Sequence, residues 1–188
     1  TKMAVYTKIS KKDISYINRK FDIEKILEFK GIKQGIENTN YLLKSKNKKF
    51  ILTIFEKRVS KKELPFFMNL MDKLNKSKIN CPKPQTKKGG GYLINLKNKA
   101  ACIVSFLSGK DKKSLNFKNC YDIGKMIAEM HQSTKKMNLT RKNSMGVKNL
   151  NPLLKSIRFK SKKFTNVEKF LKNNFKDIKT KWPNNLPN

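Results

Sequence analysis

The chain has 188 residues, of which 37% are hydrophobic and 10% aromatic, so its composition excludes a disordered polyelectrolyte and allows a packed core. It has 45 basic residues against 13 acidic ones, which gives a formal net charge of +32. No run of about 18 apolar residues exists, which excludes a membrane-spanning helix, and the first residues lack the apolar core of a signal peptide. We therefore expect a soluble, cytoplasmic protein.

The positive charge has two explanations. A basic surface is typical of nucleic-acid binding, because cations neutralise phosphates and release counterions. However, only four of the 45 basic residues are arginine, the residue that base readers and phosphate clamps favour, and the lysines are spread along the whole chain. Drift in an AT-rich coding sequence is the favoured explanation, and a lysine-rich nucleic-acid-binding module is the alternative.

The first predicted element is a helix after Ser10. Ser10 is a suitable N-cap with Asp13 three residues on, and Ile14, Ile17 and Phe21 follow at helical spacing. We expect this helix to pack against a sheet.

Three strands follow, joined by a glycine-bearing turn and a polar turn. The apolar runs are residues 26–30, 41–43 and 50–55, and the first turn extends from Gly31 to Asn40. Glycines let a backbone approach a ligand closely, so that N–H groups can point at phosphate oxygens. The turn is neither a Walker A loop nor a dinucleotide fingerprint, and spacing alone favours a turn that merely joins two strands.

A second helix, two more strands and two further helices complete the predicted elements. Ser60 and Glu63 form a capping box before a helix that ends near Asn75. The inward residues of this helix are Leu64, Phe67, Met68, Met71 and Leu74. Strands are predicted at 92–95 and 100–106, a helix from Asn119, a loop at 134–148 and a last helix at 166–178. In that last helix the predicted inward residues are Val167, Phe170, Leu171 and Phe175. The resulting fold class is α+β, with a five-stranded antiparallel sheet and one packed helix.

Cysteine and histidine usage indicates no metal site. Cys81, Cys102 and Cys120 are widely spaced without a C-x-x-C pair, so we expect reduced, structural thiols. The single histidine, His131, closes the apolar stripe of the helix from Asn119 and is predicted to be a packed structural residue.

Several segments jointly resemble the aminoglycoside-phosphotransferase-like kinases, and among them the homoserine kinases. They occur in the family's order over most of residues 3–133, namely Met3–Thr7, Phe29–Ile32, Gly35–Leu43, Phe50–Arg58, Glu63–Phe67 and Ala101–Gly109. The resemblance implies a protein-kinase-like fold: a nucleotide-binding N-lobe at 1–106, a hinge at 107–115 and the first helices of an incomplete helical C-lobe at 116–188.

The resemblance also implies a reaction, namely ATP-dependent phosphorylation of the L-homoserine hydroxyl to O-phospho-L-homoserine in threonine biosynthesis, with ATP and Mg²⁺ as cofactors. It places a set of residues at the nucleotide: Gly35, Ile36, Glu37, Asn38, Thr39 and Asn40 over the phosphates, Thr53 on the third strand, and Ser105, Phe106 and Leu107 at the adenine. Many relatives carry a lysine or arginine in the place of Thr53, whereas homoserine kinases also have threonine there. Lys57 and Arg58 are candidate cations instead. In kinase-like folds the helix from Glu63 can offer a carboxylate, but the capping box explains Glu63 fully.

The family's catalytic loop, His-x-Asp-x-x-x-x-Asn, is absent from the sequence. His131 is followed by Gln132 and Ser133, with no aspartate two residues on. The resemblance therefore implies that the catalytic aspartate, the Mg²⁺ ligands and most homoserine contacts lie beyond Asn188, and that the chain alone is an inactive fragment. A catalytically dead kinase-like regulator is a further alternative.

Overall fold

The structure is a computed structural model that describes residues 5–35, 37–56, 60–112, 114–142, 146–156 and 165–182. Its elements are α1 (Lys11–Lys20), β1 (Glu28–Ile32), β2 (Thr39–Lys44), β3 (Lys49–Ile54), α2 (Leu64–Lys76), β4 (Leu93–Leu96), β5 (Lys99–Ser105), α3 (Phe117–Lys135), α4 (Val147–Ser156) and α5 (Thr165–Lys181). None of the helices in these ranges is long and apolar enough to cross a membrane.

The chain divides into two compact units. The first, Thr1–Leu139, contains the sheet and helices α1 to α3, and the second, Thr140–Asn188, contains α4 and α5, which contact each other. The lobe boundary expected at residue 106 stays a prediction.

The sheet has the strand order β1-β2-β3-β5-β4, and all neighbouring strands are antiparallel. The predicted five-stranded antiparallel sheet is therefore confirmed. The glycine turn is shorter than predicted, because Gly31 and Ile32 pair within β1 and Thr39 and Asn40 pair within β2.

One face of the sheet forms the main core with α1. Ile17 and Phe21 are fully buried against alternate residues of the strands, such as Leu43 and Leu52. The predicted capping box of α1 is present, since the Ser10 amide donates to Asp13 Oδ2 at 2.7 Å and the Asp13 amide donates to Ser10 Oγ at 3.4 Å. The capping box and the helical spacing of the apolar residues therefore agree with the buried position of α1 in the structure.

Helix α2 covers only part of the opposite face. Met68 packs with Cys102 and Val104 of β5, and burial raises the pKa of the Cys102 thiol to about 12, which suits a structural cysteine. The same face continues across β2 and β1. Ile51 of β3 is in register with Leu42 of β2, and Leu42 is in register with Lys30 of β1. This part of the face, which α2 does not cover, adjoins the glycine turn, and we refer to it as the uncovered sheet face.

The predicted capping box of α2 is wrong. Ser60 accepts a hydrogen bond from the Lys62 amide at 3.4 Å, and the Glu63 amide donates to the Ser60 carbonyl at 2.9 Å, so residues 60–63 form a turn. The helix begins after this turn, with Glu63 as an N-cap residue that makes no side-chain capping bond and Pro65 in the first turn. The predicted inward face is confirmed, since Leu64, Met68 and Leu74 are buried.

Helix α3 begins before the predicted start at Asn119. Asn116 is the N-cap, and Asn119 is its capping-box partner at the third helical position. The expectation that His131 is packed is wrong, because its side chain is exposed and α3 buries none of its residues within the described part of the chain. The apolar stripe exists, and its residues Ile123, Met126 and Ile127 are exposed.

Helix α4 was not predicted, because asparagines and an interior proline, Pro152, disfavour a helix in this segment. Helix α5 was predicted, and Leu171 and Phe175 are half-buried as expected. The other two predicted inward residues, Val167 and Phe170, are instead 44% and 64% exposed.

Candidate nucleotide site

The glycine turn connects β1 to β2 and folds back over the beginning of β2. Gly35 has a φ of +108°, in the left-handed region that favours glycine. A Cβ at Gly35 would lie 3.9 Å from Asn40 Nδ2, so the turn backbone is close to this carboxamide. Ile36 lies outside the described residues, and Glu37 is exposed on the turn.

Asn40 and Thr53 form a polar pair on the uncovered sheet face. They are partners in the β2–β3 register, and Thr53 Oγ1 donates to Asn40 Oδ1 at 2.8 Å. This bond orients the carboxamide so that Nδ2, which has no hydrogen-bond acceptor among the described residues, is available as a donor. Position 53, where the resemblance led us to consider a cation, therefore carries a hydroxyl that orients an amide.

A cavity of about 410 Å³ lies beside this pair. It is lined by Lys30, Gly31, Ile32, Lys33, Gln34 and Leu42. Lys30 and Ile32 are in register with Leu42 and Asn40, so the cavity lies on the face that carries Asn40 and Thr53. The two lysines bring positive charge to this face, and sequence reasoning missed both. The face of Lys30 could have been inferred from the alternation of side chains along a strand, because residues two apart, such as Lys30 and Ile32, point to the same face.

Two other predicted turn residues are engaged inside the protein. Thr39 is fully buried, and its Oγ1 accepts from the amides of Tyr6 at 3.0 Å and Thr7 at 3.1 Å. Asn38 Oδ1 accepts from the Glu56 amide at 3.3 Å. Since successive strand residues face opposite sides, Thr39 cannot share the face of Asn40.

Glu56, another residue that sequence reasoning missed, lies directly beneath this end of the turn. Its Oε1 accepts from the hydroxyls of Thr39 at 2.6 Å and Thr7 at 2.7 Å, and its Oε2 forms an ion pair with Lys99. Burial raises the pKa of Glu56, but the hydrogen bonds from Lys99 and the two threonines outweigh burial and hold the pKa below its ordinary value. The available signal was alternation, because Glu56 continues the inward series of Leu52 and Ile54.

The predicted adenine segment lies at the end of β5. The Ser105 amide donates to the Lys83 carbonyl at 2.8 Å, and the Phe106 amide donates to the Lys49 carbonyl at 3.2 Å. The Leu107 amide has no acceptor in the described part of the chain, so of the three amides it is the one available to a base. Lys49, beside this segment, and Ile54, beside the glycine turn, are about 17 Å apart along β3.

A second and larger cavity, of about 1020 Å³, lies between the C-terminal ends of α2 and α3. Its lining includes five lysines, Lys73, Lys76, Lys78, Lys135 and Lys136. Cations in the last turn of a helix complement the negative end of its dipole, which accounts for Lys73, Lys76 and Lys135. The cavity contains no residue of the sheet or of the glycine turn, so we do not assign it to the nucleotide.

No group of three metal-ligating side chains lies together in the residues that the structure describes. Lys57 and Arg58, the candidate cations after β3, lie outside those residues.

Comparison with known proteins gives a family and a set of relatives. A model described as the phosphotransferase enzyme family matches residues 28–177. A homoserine kinase of Paramagnetospirillum magneticum is 36% identical over 186 residues, which cover 98% of this chain and 57% of the relative. A homoserine kinase of Rhizobium etli is 32% identical over 98% of this chain and 58% of the relative. The chain thus spans little more than half the length of these relatives.

Two solved structures are similar in fold. A spectinomycin phosphotransferase in complex with ADP and spectinomycin has a TM-score of 0.58 at 14% identity, over 93% of this chain and 56% of its own. A microcompartment-associated aminopropanol kinase has a TM-score of 0.59 at 13% identity, over 77% of this chain and 48% of its own.

Proposed function

Because the chain belongs to the phosphotransferase enzyme family, we propose that it binds ATP and takes part in the phosphorylation of L-homoserine to O-phospho-L-homoserine, with ADP as the second product. The α+β, protein-kinase-like fold class is confirmed. The homoserine kinases among its relatives support a small-molecule phosphotransferase activity, which is part of this proposal. The observation that carries the choice of homoserine is the 36% identity to a homoserine kinase across 98% of the chain. A role in threonine biosynthesis is part of the same proposal.

We place the phosphates of the nucleotide between the glycine turn and the uncovered sheet face. The backbone at Gly35 can approach closely, because no side chain intervenes. Asn40 Nδ2 supplies an uncharged donor that Thr53 orients. Lys30 and Lys33 supply the positive charge that a threonine at position 53 cannot provide.

We place the base at the end of β5. The Leu107 amide offers a hydrogen-bond donor there. The amides of Ser105 and Phe106 already donate to protein carbonyls, so these two residues lie next to the base without donating to it. Leu42 and Ile51 are half-buried on the same sheet face and offer an apolar wall to a planar ring.

The described residues do not fit a Mg²⁺ site. Magnesium binds through carboxylates and phosphates, and Glu56 is already committed to Lys99 and two threonine hydroxyls. We therefore derive no metal-dependent step from these residues. That the chain alone does not turn over stays a prediction, and an assay of ADP release with L-homoserine tests it.

Calorimetric titration with ADP tests the proposed site. Asn40→Leu removes the oriented donor and introduces bulk beneath the turn, so we expect its Kd for ADP to rise at least about tenfold, as one lost hydrogen bond to a charged group produces. Lys44→Met is the matched control, because Lys44 lies on the same strand and pairs with Glu28 away from the turn. An unchanged Kd in Asn40→Leu, or an equal loss in the control, contradicts this placement.

A further inference from the structure

A polar cluster joins four segments of the chain next to the glycine turn. We define the Glu56 cluster as Thr7 of the N-terminal segment, Thr39 at the beginning of β2, Glu56 after β3 and Lys99 at the beginning of β5. In addition to its ion pair, Lys99 Nζ donates to Thr7 Oγ1 at 2.7 Å. The cluster thus links three strands and the N-terminal segment through hydrogen bonds at one point.

The need to fill a buried position does not by itself explain why the residues of this cluster are polar. Thr39 begins the inward series of β2, and Tyr41 and Leu43 continue it. An apolar residue at position 39 would bury its side chain without desolvating a hydroxyl. Buried polar groups cost free energy unless they are fully hydrogen-bonded, and a fully bonded cluster fixes one geometry. The threonine hydroxyl uses both its acceptor and its donor capacity here, towards two amides and one carboxylate.

The geometry that the cluster fixes is that of the glycine turn. Thr39 is the first residue after the turn, and the Glu56 amide also holds the side chain of Asn38. At the other end of the turn, the N-terminal segment lies against Gly31, where a Cβ would come within 2.9 Å of Val5 Cγ2. The segment that Thr39 holds through the amides of Tyr6 and Thr7 therefore contacts both ends of the turn.

We propose that the Glu56 cluster is a positioning device that holds the outgoing end of the glycine turn, and with it the Asn40 carboxamide, in the geometry that binds nucleotide phosphates. The inference rests on the proposed function and assigns Thr39 a positioning role in place of the direct contact predicted from the sequence. Thr7 and Lys99 act through Glu56 and Thr39, and Glu56 acts through both Thr39 and Asn38.

Three variants and two controls test the cluster. Thr39→Val keeps the shape of the side chain but removes the hydroxyl, Thr39→Ser restores the hydroxyl, and Lys99→Met removes the ion pair at a partly exposed position. Lys44→Met removes a comparable cross-strand ion pair elsewhere on β2. Leu43→Val lowers stability through the core of the same strand without touching the cluster.

The first readout is amide hydrogen exchange at Thr39, Asn40 and Glu56 in the absence of nucleotide, because Thr39 and Asn40 lie in the β2 ladder and the Glu56 amide donates to the Asn38 side chain. We expect exchange there to be about tenfold faster in Thr39→Val and Lys99→Met, and close to wild type in Thr39→Ser and both controls. Wild-type exchange in both Thr39→Val and Lys99→Met would overturn the proposal. Equal acceleration in Leu43→Val would also overturn it, because the turn would then only report global stability.

The second readout is the Kd for ADP, which we expect to rise about tenfold in Thr39→Val and to stay within about twofold of wild type in Thr39→Ser. Absence of ADP binding by the wild-type chain would contradict the proposed function. Hydrogen exchange would still decide whether the cluster positions the turn, so the two failures are distinguishable.

Discussion

Helices α1 and α3 begin in the same way and lie in different environments. Each opens with a complete capping box, Ser10 with Asp13 in α1 and Asn116 with Asn119 in α3. Each also carries apolar residues at helical spacing. In α1 those residues are buried under the sheet, whereas on α3 the equivalent residues are exposed, Ile127 by 40%.

This difference distinguishes what a short stretch of sequence determines from what depends on distant parts of the chain. Capping and periodicity act within about one or two turns of a helix, so they are visible in a short stretch of sequence. Burial depends on a surface that is distant in the chain, and most helix stability in proteins comes from such packing. The sheet supplies that surface for α1, whereas the stripe of α3 stays exposed.

The largest expected effect comes from the same substitution in the two helices. Ile17→Ala removes a fully buried side chain and is expected to lower the free energy of unfolding by about 2–5 kcal/mol. Ile127→Ala on α3 is expected to change it by no more than about 0.5 kcal/mol, because this side chain is already partly solvated. Urea denaturation measures both, and equal losses would show that the α3 stripe is packed in solution.

A smaller effect is expected from the two caps. Ser10→Ala should destabilise the sheet by about 1 kcal/mol, because α1 is part of its core. Asn116→Ala removes an equivalent cap but should leave hydrogen exchange of the β3 amides unchanged, since α3 can open locally without exposing the sheet. If Ser10→Ala and Asn116→Ala changed the hydrogen-exchange rate of the β3 amides by the same factor, the opening of α3 would be coupled to that of the sheet, which contradicts this prediction.

Most of the fold was predictable from the sequence, because its signals are local. The positions of the strands and the inward face of α2 follow from alternation, turn residues and helical spacing, whereas the strand order, with β5 between β3 and β4, was not predicted. The start of α2 was not predictable, because Ser60 and Glu63 have the spacing of a capping box but form a turn instead. The environment of His131 was not predictable either, because its exposure depends on what lies opposite α3.

The candidate site was predictable only in part, for a similar reason. Adjacent strand residues face opposite sides, so Thr39 and Asn40 could not both meet a phosphate, and the sequence alone does not say which one faces the core. The engagement of Glu56 with Lys99 joins residues 43 apart in the chain, which no local pattern reveals. Lys30 and Lys33 were hidden among the chain's many lysines.

The smallest expected effect concerns pH and compares two cross-strand carboxylates. The folded pKa of Glu56 lies below its ordinary value of 4.5, so the unfolded chain binds this proton at higher pH than the folded chain does. The stabilisation is therefore present above about pH 4.5 and is lost as the pH falls through the folded pKa. Glu56→Gln should flatten the fall in unfolding free energy that occurs as the pH is lowered below about 4.5.

Glu28→Gln is the control for this prediction. The hydrogen bond from Lys44 also lowers the pKa of Glu28, but that pair is exposed to solvent and screened by it. We expect the pH profile of Glu28→Gln to follow the wild-type profile more closely. Identical profiles for Glu56→Gln and the wild type would show that the Glu56 carboxylate is not held in the folded state.

The measurement that tests the central claim most directly is amide hydrogen exchange of the wild-type chain with and without saturating ADP. We predict slower exchange in the presence of ADP at residues 33–40 and at Leu107, with no change at the lysine-lined cavity between α2 and α3. Protection confined to residues 73–79 and 129–137 would contradict the account, because the anion would then bind the lysines and not the glycine turn.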